Sequence, residues 1–135
     1  MDTLEGQLTD SLFASVTTFA QTLSPVLEVS FDGVELESKP QLYLAAFHLP
    51  AETQNYGIDK GFWLLGNLQI SVMLLTGTGI TAASDIAGKI AEYYNKGLVI
   101  GPVKTFRRPY VSPKIETEGR INIPVTIPYR GFYDG

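Results

Sequence analysis

The sequence predicts an α+β fold, two-layer in the α/β sense. It calls for about four main strands in a mixed or antiparallel sheet with two helices packed on it, in the order α-β-β-α-β-β. Three observations lead there. Apolar residues recur at three- and four-residue spacing over 4–23 and again over 81–96. They alternate with polar residues at period two over 64–74 and 121–129. Glycine or proline punctuates the chain between these stretches, at Pro25, Pro50, Gly61, Gly77, Gly97 and Gly119.

The first helix carries Leu4, Leu8, Leu12, Val16, Phe19 and Leu23 on one stripe, capped by Asp2 or Thr3 and stopped by Pro25. Val29 to Leu36 holds Asp32-Gly33 between short apolar flanks, either a tight hairpin or an extended loop. In the strand from Gln41 to Leu49, Leu42, Leu44 and Ala46 face one way, and Tyr43, Ala45 and Phe47 the other. Such a strand is covered on both faces, as a central strand is. Ala51 to Gly61 is polar and reads as a mobile loop between strands. Phe62 to Thr76 is a long strand with Leu64, Leu68, Ile70, Val72 and Leu74 on one face, and Gly66 marks a bulge or bend.

The second helix, Thr81 to Lys96, buries Ala83, Ile86, Ala87, Ile90, Ala91 and Tyr94 and ends at Gly97. Val99 to Arg108 is a further strand, closed by Pro109. The last strand places Ile121, Ile123, Val125, Ile127 and Tyr129 inward. Its two prolines, Pro124 and Pro128, share the other parity, so both missing N–H groups lie on one lateral side. That predicts an edge strand whose prolines keep other strands from pairing by chance, as suits a protein that stands beside copies of itself.

With 135 residues and no linker or repeat, the chain reads as one domain, 1–135. Ten Lys+Arg against 14 Asp+Glu give a net charge of −4, so neither nucleic-acid recognition nor an anionic membrane partner is expected. There is no cysteine, which excludes disulfides and cysteine-based zinc sites. The acidic start, Met-Asp-Thr-Leu-Glu-Gly, is not a secretory signal, and Phe62 to Leu75 is too short and too polar for a spanning helix.

The catalytic inventory is thin. His48 is the only histidine and reads as a strand-end residue making one hydrogen bond. A hydrolase would need it beside a Gly-x-Ser-x-Gly elbow, which the chain lacks. Gly77-Thr78-Gly79 before a helix has neither the Gly-Lys-Ser/Thr nor the third glycine of a phosphate loop and reads as a turn. Glu116 and Glu118 read as solvated, and Trp63 with Tyr93-Tyr94 leaves open a small-ligand or sugar-binding module. No enzyme activity and no cofactor are expected.

Three blocks resemble a known family. They are Gly61-Phe62-Trp63 through Leu68-Gln69-Ile70-Ser71-Val72, then Ala91-Glu92-Tyr93-Tyr94-Asn95-Lys96-Gly97, then Arg107-Arg108-Pro109-Tyr110-Val111-Ser112-Pro113 running into Ile123-Pro124-Val125-Thr126-Ile127-Pro128-Tyr129-Arg130-Gly131-Phe132. Leu49-Pro50-Ala51-Glu52 fits as well. The chain resembles the tail terminator (minor tail) proteins of long-tailed bacteriophages and prophages. The resemblance implies an α/β subunit of a hexameric ring that caps the tail tube, stops its growth and prepares the head-joining surface. It also implies partners (further copies, the tail tube protein and a head–tail joining protein) and residence in the host cytoplasm, then in the virion tail. A head–tail completion or tube-like virion protein is the nearest alternative.

Loop position and chemistry, rather than any family motif, nominate the contact residues. Tyr56, Ile58, Asp59 and Lys60 put apolar side chains within a polar loop, as an assembly contact does, or else fold back on the domain. Lys104, Arg107 and Arg108 form a compact basic cluster, which is either a solvated strand end or a site for acidic groups of a neighbouring subunit.

Overall fold

In the computed structural model, which describes residues 4–23, 26–31, 41–51, 54–55, 62–75, 80–95, 97–117 and 119–133, α1 (Leu4–Gln21) leads into β1 (Val29–Phe31) and β2 (Leu42–Pro50). Then come β3 (Gln54–Asn55), β4 (Phe62–Leu75), α2 (Ile80–Tyr93), β5 (Val99–Ile100), β6 (Val103–Thr105), β7 (Tyr110–Val111), β8 (Ile115–Thr117) and β9 (Arg120–Tyr133). The four-strand, two-layer expectation is thus corrected. One sheet of nine strands runs β1-β2-β4-β9-β6-β5, with β3 on β4 and with β7 and β8 on β9. The sheet curls into a half-barrel. Short chain-end and loop segments pair as strands here, and no local periodicity announces a two-residue strand.

The frame is three long antiparallel strands. β4 pairs with β2 from Leu42↔Leu74 to Pro50↔Gly66, and with β9 from Phe62↔Tyr133 to Leu75↔Arg120. Their inward residues, Leu44, Ala46, Leu68, Ile70, Val72, Ile123, Val125 and Ile127, join Leu8, Leu12, Val16 and Phe19 of α1 and Ala83, Ala87 and Ile90 of α2 in one core. Both helices therefore cover the same face of the sheet. α1 lies across the mouth of the curl. Phe13 packs on Phe31 of β1 at 4.9 Å, while Ser11 closes on Gly101 in the β5–β6 turn.

β9 is central, not an edge strand, and its prolines explain how. The Pro124 carbonyl accepts the Ser112 N–H at 2.9 Å, so residues of that parity direct their backbone groups away from β4. On that side the register would set Phe106 opposite Pro128 and Ser112 opposite Pro124. A proline cannot return the second bond of such a pair. β6 accordingly stops at Thr105 and β7 at Val111, and the partner of β9 is three short strands. The side of β9 that lacks the two proline N–H groups is the one the proline parity predicts, but it carries partners, so β9 is not the expected edge strand.

Other expectations change too. The single strand Val99 to Arg108 is a hairpin, β5–β6, turning at Gly101, whose φ is 56°. Val29–Phe31 runs parallel to β2, while Asp32-Gly33 lies outside the described residues. Part of the expected mobile loop is paired, Gln54 with Trp63 and Asn55 with Phe62. Gly66 marks no bulge, because register runs unbroken through it. A Cβ there would fall on the Tyr129 hydroxyl and 2.9 Å from the Leu49 carbonyl oxygen, so the glycine makes room.

Candidate assembly interface

The face of the sheet away from the helices is built in rows by the register. Tyr43, Met73 and Asn122 make one row; Ala45, Ser71 and Pro124 the next; then Phe47, Gln69 and Thr126; then Leu49, Asn67 and Pro128. Period two forces this, since every inward residue of β2, β4 and β9 is flanked by an outward one. These rows carry no charge, and charge stands at their two ends. Arg120 lies over the Tyr43 ring at 5.3 Å, and its guanidinium reaches the Gln41 carbonyl at 3.5 Å. The other end holds the basic cluster.

There Lys104 on β6 lies directly opposite Arg130 on β9, with Val99 on β5 opposite Lys104. Like charges facing each other across an antiparallel pair are destabilising. Among the described residues no carboxylate pairs with Lys104, Arg107, Arg108 or Arg130; the ion pairs are Lys89 with Asp85 and Lys114 with Glu116. Aromatic rings hold the cations in place instead. Arg107 lies 5.2 Å from the Phe106 ring, and Arg130 lies 4.7 Å from Phe106 and 5.8 Å from Trp63. Trp63 in turn meets Phe132 edge-on at 5.3 Å. Beside this ladder is an open cavity of 310 Å³ lined by Trp63, Val99, Pro102, Lys104, Arg130 and Phe132.

Of the nominated residues, Lys104 and Arg107 are exposed and share this ladder through Phe106 and Arg130. Arg108 is exposed beside them. Tyr56, Ile58, Asp59 and Lys60 lie outside the described residues. Sequence reasoning missed Arg130, Phe106 and Phe132. The signal was present in the parity of β9, which puts Arg130 on the outward face.

His48 does more than the single bond expected. Its Nδ1 is 2.8 Å from the Thr9 hydroxyl and its Nε2 is 2.6 Å from the Tyr129 hydroxyl, so it ties α1 to β2 and β9. Burial pushes the Tyr129 phenol up to about 12. Desolvation shifts Tyr94 the same way. Because the Ser15 hydroxyl proton goes to the Leu12 carbonyl at 2.6 Å, the Tyr94 hydroxyl donates to Ser15 at 2.8 Å and is needed in its neutral form. The His48 bonds fix α1 to the sheet, and the Ser15–Tyr94 bond fixes α1 to the end of α2. Among the described residues no group of His, Asp and Glu is arranged to hold a metal ion, and no helix is long and apolar enough to cross a membrane.

A family model described as phage tail terminator protein matches residues 7–129. The chain belongs to the phage tail terminator family. As a terminator it is a structural protein of the phage tail, in keeping with the resemblance read from its sequence. No curated protein matches it. The fold recurs in solved structures, among them these two. One, which carries no descriptive name, is 20% identical with a TM-score of 0.72, over 91% of this chain and 92% of that one. The other, from the virion of a native gene transfer agent particle, is 14% identical with a TM-score of 0.65, over 96% and 98%.

Proposed function

We propose that this chain, acting as one domain over 1–135, closes into a homo-oligomeric ring, a hexamer, on the end of the tail tube. There it stops tube growth and offers the surface that a head–tail joining protein meets. It assembles in the host cytoplasm and stays in the virion tail. The observation that carries this reading is the family match, joined to a sheet with helices on one face only. The aromatic and cationic margin, where Lys104, Arg107, Arg108, Arg130 and Phe132 are exposed, is suited to contact with other subunits. Tyr56, Ile58, Asp59 and Lys60 meet the tube, and Lys104, Arg107 and Arg108 meet the tube or a neighbouring copy.

Electron microscopy of tails assembled with and without the chain tests this. Tubes should be overlong without it and end in a ring with it. Tyr56→Ala with Ile58→Ser should leave the melting temperature nearly unchanged yet give overlong tails. Tails of normal length in the absence of the chain would overturn the reading. Purified protein that polymerises into an open tube would favour the tube-like alternative.

A further inference from the structure

We infer that the margin built from Lys104, Arg130, Trp63 and Phe132 is a docking site for an acidic protein segment. The segment seats a carboxylate between the two cations and a neighbouring apolar side chain in the cavity beside them. The inference rests on the assembly reading above and names the chemistry of the partner that this margin meets. Register sets these side chains together, with Lys104 opposite Arg130, Val99 opposite Lys104 and Trp63 opposite Phe132. Val103 and Thr105 are buried, so Lys104 between them turns outward, to the side of Arg130. Gly131 lets the β5–β6 turn close on β9, because a Cβ there would collide with the Pro102 carbonyl oxygen. A cationic pair and an apolar hollow thereby stand side by side.

Charge selects an anion. Four of the chain's ten Lys and Arg residues, Lys104, Arg107, Arg108 and Arg130, gather here, although the net charge is −4. Lys89 and Lys114 have carboxylate partners, and among the described residues these four have none. Lys104 and Arg130 repel each other across the ladder, so a carboxylate between them is drawn from both sides. Phe106 and Trp63 already limit Arg130, so less side-chain freedom is lost on docking. The cavity then decides which anion. Its volume is 310 Å³, and a cavity of roughly 150 Å³ already takes a benzene ring. Val99 and Phe132 in its lining are 69% and 52% exposed. An apolar side chain next to the carboxylate covers them and keeps water from the ion pairs. A nucleic-acid backbone brings phosphates but no apolar arm. Its bases would find the Trp63 ring already engaged by Arg130 and Phe132, and the chain's net charge opposes a polyanion.

A blocked peptide, acetyl-Asp-Glu-Leu-Glu-Asp-amide, tests the site, with the fluorescence of Trp63, the chain's only tryptophan, as the readout. Its Kd should rise at least about tenfold when Lys104→Ser and Arg130→Ser are combined. If that variant does not fold, Lys104→Glu at its exposed position takes its place, with the same expectation. A second peptide, with glycine for the leucine, should bind wild type about tenfold more weakly than the first. Phe132→Ala should lose most of that preference. Wild type that binds neither peptide, charge variants that bind like wild type, or equal affinity for the two peptides would each overturn the site and leave the assembly reading standing. Binding as expected, with tails of normal length in the absence of the chain, would instead keep the site and remove the assembly reading. A short DNA duplex held more tightly than the peptide, and released by the same charge variants, would make the margin a phosphate site and refute the proposal.

Discussion

Gly66→Ala puts one methyl group into a tight joint of the sheet. At an unhindered position in a strand this change should stabilise, by about 0.4–1 kcal/mol, because alanine has less freedom to lose from the unfolded chain. Here the new Cβ would fall on the Tyr129 hydroxyl, 2.8 Å from its ring carbon and 2.9 Å from the Leu49 carbonyl oxygen. The tyrosine and the β2 backbone cannot both stay, and overpacking of this kind costs about 1–3 kcal/mol. If Tyr129 swings away, its 2.6 Å bond to His48 is lost, at about 1 kcal/mol more. The net is a loss of roughly 1–3 kcal/mol, or a fall in melting temperature of roughly 4–12 °C for a chain of this size. Thermal unfolding followed by circular dichroism measures it, and a cycle with Tyr129→Phe locates the cause. Without the hydroxyl part of the clash disappears, so the two changes should be sub-additive by about 1 kcal/mol. A Gly66→Ala protein as stable as wild type, or strict additivity with Tyr129→Phe, would refute the argument.

Val125 is fully buried in the centre of β9, so Val125→Asp should abolish cooperative folding, whereas Thr126→Val on the opposite face should shift the melt by only about a degree or two. An unaltered melt for Val125→Asp would mean that the face assignment of β9 is wrong. Tyr94 and Tyr129 are kept neutral by burial, with phenols raised from 10.0, Tyr129 to about 12. Folded pKa above unfolded pKa means that their contribution is complete below pH 10 and is lost as pH climbs through 12. Tyrosinate absorbance should therefore show the most resistant of the seven tyrosines ionising together with loss of near-ultraviolet dichroism, and smooth titration of all seven in an intact fold would contradict this.

What the sequence made legible is what depends on neighbours along the chain. The stripe Leu8, Leu12, Val16, Phe19 and the alternation Ile121, Ile123, Val125, Ile127 are buried as their periods require, because the period alone fixes which residues share a face. Lateral order is another matter. Whether β9 has a strand on its proline side is decided by segments that pair through only two or three residues each, too short to carry a pattern. His48 finds its partners 39 and 81 residues away, and nothing local to it announces either. For the same reason the basic cluster was only half visible. Lys104, Arg107 and Arg108 lie together in the chain, while Arg130 joins them through the β6–β9 register.

The paired prolines of β9 also bear on how such a chain can diverge. The alignment of β9 is held by fourteen consecutive pairings with β4, while its other flank is stapled in three places separated by proline. Insertions or deletions in 106–109 or 112–114 therefore fall between staples, where adding a residue shifts no inward side chain of the long strands. A mutation that lengthens β4 or β9 enjoys no such insulation. In related lineages, length variation should collect in these connections and be rare in the long strands, and grafts of foreign sequence should be accepted at the first and rejected at the second. One strand thereby separates the part of the molecule that must be inherited intact from the part that is open to remodelling.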